Sequence, residues 1–431
     1  MSLPPTEEIR AEFPALERLH AGLPVAYFDG PGGTQVPGSV PIAMADYLFH
    51  RNSNAGWAFP TSAETDRVRF QARRAMGDFL GGEAEEIVFG PNMTTLTYGL
   101  SRTLGREMEA GDEIIVTELD HHANVDPWKA LARERGVAVR TLPMDPETGT
   151  LEEERFDDLL STRTKLVALG AASNALGTLT DLTSFVSRAK EAGARVFVDA
   201  VHLAPHRRID VRKVGCDFLA CSPYKFYGPH AGVLWVSGEL VEELDVPRLE
   251  PAPNRGPARF ESGTPSTEAM AGTTAAVDFL AGLGRESPGA GGEKDKEGRG
   301  PAGAGARSRR LDTFFRDLVH RETALSRRLR EGLEGIAGVR PYGPAAETDR
   351  APTVSFTVDG VPAREVAGRL ADTVGAFLSH GDFYAATVVD RLGLRPHGLV
   401  RAGIALYTTG EEVDRVVEGI EKIASHSFRR G

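Results

Sequence analysis

Four short stretches of this 431-residue sequence gather side chains that could do chemistry. Ser222-Pro223-Tyr224-Lys225-Phe226-Tyr227-Gly228-Pro229 sets a lysine in an aromatic turn bracketed by Pro and Gly, where desolvation would lower its pKa toward useful nucleophilicity. Asp199 ends an apolar run, with His202 and His206 beyond it. A buried carboxylate is costly without a cationic partner, so Asp199 needs one. Glu118-Leu119-Asp120-His121-His122-Ala123-Asn124 puts a histidine pair just past another apolar run. Gly90-Pro91-Asn92-Met93-Thr94-Thr95 offers two hydroxyls and free backbone N–H groups where a helix begins, which suits a phosphate. Each stretch alone also has a plain structural reading, as a threonine cap or a packed histidine.

To bring these stretches together, the chain must place them at the carboxyl ends of strands, where open α/β sheets bind ligands. Apolar, β-branched runs occur at 86–90, 113–117, 165–169, 195–199, 216–221 and 232–236. Helical patterns at 95–108, 127–135 and 182–192 separate the earlier ones, which implies crossover connections and a mostly parallel sheet. After about residue 270 the pattern changes. Strands at 353–358, 376–379 and 400–406, a helix at 362–374 and a last helix from Glu411 read as a smaller α+β unit. The expected fold is α/β, a mostly parallel large-domain sheet sandwiched by helices with a smaller α+β C-terminal domain. Residues 1–25 are expected to pack on the small domain, 26–283 to form the large one and 311–431 the small one. Residues 284–310 contain no Val, Ile, Leu or aromatic side chain, so a mobile loop is expected there.

Composition narrows the partners. With 50 Lys and Arg against 61 Asp and Glu, the net charge of -11 offers no counterion-release drive toward nucleic acid or anionic lipid. No apolar run is long enough to span a bilayer, and MSLPPTEEIR lacks the apolar core of a signal peptide, so the expected location is the cytoplasm. The 2 cysteines, Cys216 and Cys221, share one segment and argue against a disulfide framework.

In chain order, the chemical stretches supply a phosphate cradle, a flat histidine ring, an anion and a lysine. Those are the needs of pyridoxal 5′-phosphate (PLP): a Schiff-base lysine, an anion that keeps the pyridine nitrogen protonated, and a phosphate anchor. A competing reading takes His121, His122, Asp199, His202 and His206 as ligands of zinc or manganese in a hydrolase, but gives Lys225 and Asn174 no task.

From Tyr27 to about Ile423 the chain also resembles the class V aminotransferase family of fold-type-I PLP enzymes, closest to its cysteine desulfurase and selenocysteine lyase branch. The resemblance rests on AYFDGPGGTQVP, ELDHHANVDPW, ASNALGT, VDAVH, SPYKFYGPH, RFESGTPS and VRAGIALYTTGEEVDR. It implies that Lys225 carries the cofactor and shuttles the Cα proton, that Asp199 pairs with the pyridinium nitrogen, and that His121 stacks on the ring. It further implies Asn174 on the phenolic oxygen with His202 beside it, and Thr94, Thr95 and Ser222 on the phosphate. Thr264 would reach the phosphate of a partner subunit's site, hence a homodimer with shared active sites. Arg401 would clamp the α-carboxylate of a small amino-acid substrate.

One departure bears on the reaction. The desulfurase branch carries a persulfide-forming cysteine on a loop shortly before the arginine motif. Here that stretch reads Ser379-His380-Gly381-Asp382-Phe383-Tyr384-Ala385, with Tyr384 at or beside the cysteine's place. Tyr224 likewise replaces the usual histidine before the lysine. The expectation is therefore C–S or C–Se cleavage by Cα deprotonation and β-elimination without an enzyme persulfide, with Tyr384 or His380 near the leaving group. An aminotransferase or epimerase of the same family is the alternative, and the metal hydrolase a remote one.

Overall fold

The computed structural model describes residues 3–284 and 305–428. Seven strands form the larger sheet: β1 (Ile87–Gly90), β2 (Glu113–Thr117), β3 (Ala138–Leu142), β4 (Thr164–Gly170), β5 (Arg195–Asp199), β6 (Phe218–Cys221) and β7 (Gly232–Val236). Their spatial order is β1-β7-β6-β5-β4-β2-β3, and only β7 runs against the rest. The closely spaced final runs of the sequence thus end in one antiparallel strand inserted beside β1.

These strands are buried on both faces, and alternate residues divide between two cores. Phe89, Val167, Val198 and Leu219 enter one core, while Val88, Leu166, Phe197 and Phe218 enter the other. The first core is covered by α1 (Pro60–Leu80), α2 (Leu182–Glu191), α3 (Thr267–Leu283) and the start of α4 (Ala306–Glu334). A second, antiparallel sheet has the order β8 (Val339–Tyr342), β9 (Thr353–Val358), β11 (Leu399–Gly403), β10 (Ser379–Gly381). It packs on α5 (Ala363–Val374), the end of α4 and the final helix α6 (Gly410–Phe428) around a core of its own.

Several expectations are corrected in detail. The run at 376–379 splits: Ala376–Phe377 pairs with Ala26–Tyr27, and Ser379–Gly381 pairs with β11. The strand expected over 400–406 leaves the sheet at Gly403, where Pro31 crosses so closely that an added Cβ would lie 2.1 Å from its Cδ. Leu406 N then donates to the Tyr227 hydroxyl at 2.8 Å, tying this segment to the turn that carries Lys225. The expectation of a loop at 284–310 falls largely on residues 285–304, outside the described residues, and the chain is already helical from Ala306. The N-terminal segment divides its contacts. Within residues 1–25, Ile9 and Phe13 enter the large-sheet core, whereas Arg10 pairs with Glu412 at 3.0 Å and His20 Nε2 meets Asp372 Oδ1 at 3.1 Å on the helices of the small one. Among the described residues, no helix is long and apolar enough to cross a membrane.

Candidate active site

Lys225 sits in the single 3-10 turn Pro223–Lys225 that follows β6, only 6% exposed. Its Nζ donates to the Pro31 carbonyl at 2.5 Å. The turn rests on the Gly-rich segment near the start of the chain: Thr34 N and Oγ1 donate to Tyr224 O at 3.0 and 3.1 Å, and Tyr227 N donates to Thr34 Oγ1 at 2.9 Å. A Cβ on Gly33 would press on the Tyr224 ring at 3.2 Å, so the segment packs closely against the turn. Burial, and then the Arg401 charge, lower the Lys225 pKa to about 8.

Around Lys225, strand ends converge on a cavity of about 80 Å³ lined by Thr94, His121, Asn174, Asp199, His202 and Ser222. Asp199 ends β5 and accepts from Val201 N at 2.9 Å. Burial raises its pKa to about 6, so it is largely an anion at neutral pH but lacks a strong cationic partner. His121 accepts from Ala123 N through Nδ1 at 3.0 Å, and burial lowers its pKa to about 4. Its ring is therefore uncharged and apolar-faced. Burial likewise holds His202 neutral; its Nε2 meets Thr353 Oγ1 at 3.1 Å.

Two buried polar atoms here have no hydrogen-bond partner, Asn174 Oδ1 and His202 Nδ1. Unmet polar atoms of this kind are rare in a packed interior. An orphaned acceptor and an orphaned ring nitrogen in one cavity, facing a carboxylate with no cation and an amine shifted toward neutrality, fit the polar-edged ring and aldehyde of PLP.

At the helix that starts the phosphate stretch, α-helical residues Met93–Leu104 are capped by Asn92, whose Oδ1 accepts from Thr95 N at 2.8 Å and Thr95 Oγ1 at 2.9 Å. Thr95 is thus committed to the cap and does not line the Lys225 cavity, while Thr94 and the buried Ser222 do.

An outer cavity of about 680 Å³ opens from the inner one and reaches Arg401, Phe383 and Tyr384. Arg401, on β11, is buried, and its pKa falls to about 10. Its Nε donates to Ser379 Oγ at 3.0 Å, its Nη1 to Asn174 O at 2.9 Å, and its Nη2 lies 3.4 Å from Asp29 Oδ1. The Phe383 ring covers the guanidinium at 4.1 Å. His380 is not brought to the site. On β10, Ser379 faces Arg401, so strand alternation turns His380 outward, where it is exposed. Thr264 is also exposed and lines a separate cavity of about 350 Å³ with Thr95 and His230.

The residues of the metal reading do not form a ligand set, although His121, Asp199 and His202 line one cavity. His122 Nδ1 meets Asp126 Oδ2 at 3.1 Å, and His206 Nδ1 meets Glu322 Oε1 at 3.1 Å. Among the described residues, no group of three or more His, Cys, Asp or Glu side chains is disposed to hold a metal ion. Asp29, Pro31, Ser379 and Phe383 were given no role from the sequence. The available signals were the Gly-rich AYFDGPGGT stretch for the first two and the loop before Arg401 for the others.

A lysine turn, a strand-end carboxylate and a neutral histidine around one cavity, on a largely parallel sheet with a second small domain-like sheet, define a fold-type-I PLP enzyme. The chain belongs to the aminotransferase class-V family, whose model matches residues 26–291 and 312–416, and is a PLP-dependent enzyme of its cysteine desulfurase-like branch. It is 32% identical over 440 residues to a cysteine desulfurase of Serratia proteamaculans, covering 97% of this chain and 98% of the relative. It is 32% identical over 435 residues to one of Pectobacterium atrosepticum, with 97% and 98% covered. The apo cysteine desulfurase structure from Thermococcus onnurineus NA1 is similar with a TM-score of 0.83 at 26% identity, covering 99% of each chain. A cysteine desulfurase structure from Escherichia coli gives 0.79 at 25% identity, covering 98% of this chain and 99% of that one.

Proposed function

We propose that this enzyme cleaves the Cβ–S or Cβ–Se bond of a small amino acid of the cysteine type by Cα deprotonation and β-elimination, without an enzyme persulfide. The observation that carries this reading is where the thiols are. Cys216 and Cys221 are 5% and 0% exposed in the large-sheet core, and burial pushes the Cys216 thiol up to about 12 and the Cys221 thiol higher still. Neither can act as a sulfur-accepting thiolate. The loop before Arg401 offers Tyr384, whose phenol can donate a proton but cannot accept a sulfur atom. The substrate type is supported by the similarity to cysteine desulfurases.

When bound, PLP supplies an electron sink for the pair left at Cα. Asp199 would meet its ring nitrogen, the uncharged His121 ring its face, Asn174 and His202 its phenolic edge, and Thr94 with Ser222 its phosphate, with Thr95 holding the cap behind. Lys225 would hold the aldehyde carbon, and its amine takes the Cα proton and can return it. Arg401, already oriented by Ser379 and Asn174, would fix the substrate carboxylate and so the Cα–H direction.

We further propose a homodimer in which Thr264, exposed and away from its own Lys225, reaches the phosphate of the second copy. The two unpaired cysteines fit a reducing compartment such as the cytoplasm. Two sheets with separate cores support division into a large domain and a small one. The test of the function is product analysis with cysteine: sulfide with pyruvate and ammonia is expected. Sulfide with alanine, or transamination that depends on a keto acid, would overturn it.

A further inference from the structure

The mouth of the outer cavity is more aromatic than free cysteine requires. Its volume of about 680 Å³ takes in the space beside Lys225, His121 and Asn174 where the cofactor would sit, but its rim is lined by aromatic rings, whereas cysteine carries only a sulfur beyond Cβ. Its mouth presents Tyr98, 40% exposed, and Tyr384, 74% exposed. The loop that holds Tyr384 has two successive non-glycine residues in the left-handed region, Phe383 at φ 55 and Tyr384 at φ 57. Such a conformation is unfavourable for a residue with a Cβ and persists where surrounding contacts impose it.

Those contacts are present. His122 N donates to Tyr384 O at 2.7 Å, Asn174 Nδ2 to Phe383 O at 2.9 Å, and Tyr384 N to Asp382 Oδ1 at 3.0 Å. His122 Nε2 also meets Thr387 Oγ1 at 3.3 Å, and the Tyr384 ring lies 5.5 Å from that of His121. The structure thus spends strain and anchoring on presenting an aromatic ring to solvent at the rim of the site. Charge narrows the occupant. Besides Lys225 and Arg401, the carboxylate and lysine or arginine side chains lining this cavity are Asp29 and Asp126. Among the described residues, no further lysine or arginine lines it to receive a second carboxylate.

We infer that the substrate is an S-substituted cysteine whose sulfur carries a neutral apolar or aromatic group, seated in the mouth lined by Tyr98 and Tyr384. This rests on the β-elimination reading. Lys225 takes the Cα proton, the Cβ–S bond breaks with its electron pair on sulfur, and the departing thiolate takes a proton from water. The three-carbon remainder takes up water, so that R–S–CH2–CH(NH3+)–COO− plus H2O gives R–SH, pyruvate and NH4+.

The test compares pyruvate formation by the holoenzyme from S-benzylcysteine, S-methylcysteine, cysteine and cystine. The benzyl and methyl compounds release thiolates of similar type, so their difference reports binding of the substituent. The benzyl compound is expected to show a kcat/KM about tenfold or more above the methyl one, expressed mainly in KM. Tyr98→Ala and Tyr384→Ala should each shrink that ratio several-fold; Tyr98 is an exposed helix residue whose replacement leaves the fold intact. Equal values for benzyl and methyl compounds, or a preference for cysteine or the doubly charged cystine, would overturn the inference while leaving the lyase reading standing. Pyruvate from none of the four would remove both.

Discussion

The inner and outer cavities of this enzyme have opposite relations to the branch it resembles. In the inner one, Lys225, Asp199, Asn174 and His202 are buried and His121 is half-buried, and each is held by a strand end or tight turn around one cavity. In the outer one, the loop from Ser379 to Ala385 has no thiol, and offers two left-handed aromatic residues and a strongly exposed tyrosine. Cofactor chemistry is common to many reactions and tolerates little change in its pKa-tuned groups. The fate of the Cβ substituent is decided farther out, where a loop can change without disturbing the sheet. The two cavities share a wall that includes Lys225, Asn174, His121, Thr94 and Tyr224.

If that division is right, damage to the inner set should abolish every reaction, whatever the substrate. Lys225→Ala is expected to lower turnover by at least about 10³-fold, the scale of a lost proton-transfer group, and to abolish borohydride fixation of cofactor at this position. Retention of even a tenth of the activity would break the comparison at its centre. Asp199→Asn comes next, with an expected loss of about 10²-fold to 10³-fold in kcat, because a neutral amide cannot hold the ring nitrogen protonated. Its cofactor absorbance should persist in part, so that turnover per bound cofactor is the measurement to make. Near-native turnover would show that another group supplies the anion.

A smaller, graded effect is expected from pH in the cofactor-free protein. Lys225 attacks the aldehyde only as the neutral amine, and its pKa of about 8 lies below the ordinary lysine value. The rate of cofactor capture should therefore be flat above about pH 8 and fall about tenfold per unit below it. Asp199, raised to about 6, becomes protonated on further acidification and removes the partner of the ring nitrogen, so capture steepens again below about pH 6. Stopped-flow absorbance checks this. A rate that keeps rising about tenfold per unit well above pH 8, toward the ordinary lysine value, would mean that the lysine is not desolvated as its geometry indicates.

Much of the inner cavity was legible in the sequence because each of its groups follows its own strand or opens its own helix. Apolar runs located Asp199 and Lys225, and the turn residues bracketed the lysine. What escaped notice came from chain crossings that local pattern does not record. Pro31 lies under Lys225 and Asp29 beside Arg401 because the N-terminal segment threads between the two sheets, contacts separated by 194 and 372 residues in sequence. His380 was misplaced by a one-residue question of strand phase, which decides which side chain faces the site. Thr95 looked equivalent to Thr94 until the Asn92 cap claimed its hydroxyl.

The smallest expected effect is the sharpest test of the outer cavity. If sulfur never passes through the protein, Cys216 and Cys221 are packing residues and nothing more. Cys221 lies in the centre of the large sheet on β6, four residues before Lys225, with its thiol held protonated by burial and by the nearby Asp199 charge. Cys216 just precedes the same strand, its thiol raised by burial and by Asp217. Replacing both with alanine should change kcat by less than about twofold, while lowering stability by roughly 1–2 kcal/mol through lost packing. Serine at 221 should be worse for stability than alanine, because its hydroxyl would be buried without a partner. The ordering separates a structural thiol from a chemical one: a structural thiol follows packing and leaves the rate alone, whereas a chemical one takes the rate with it in both variants. A persulfide trapped on either cysteine, with activity lost in the matching variant, would return this enzyme to the sulfur-relay mechanism and erase the distinction between its two cavities.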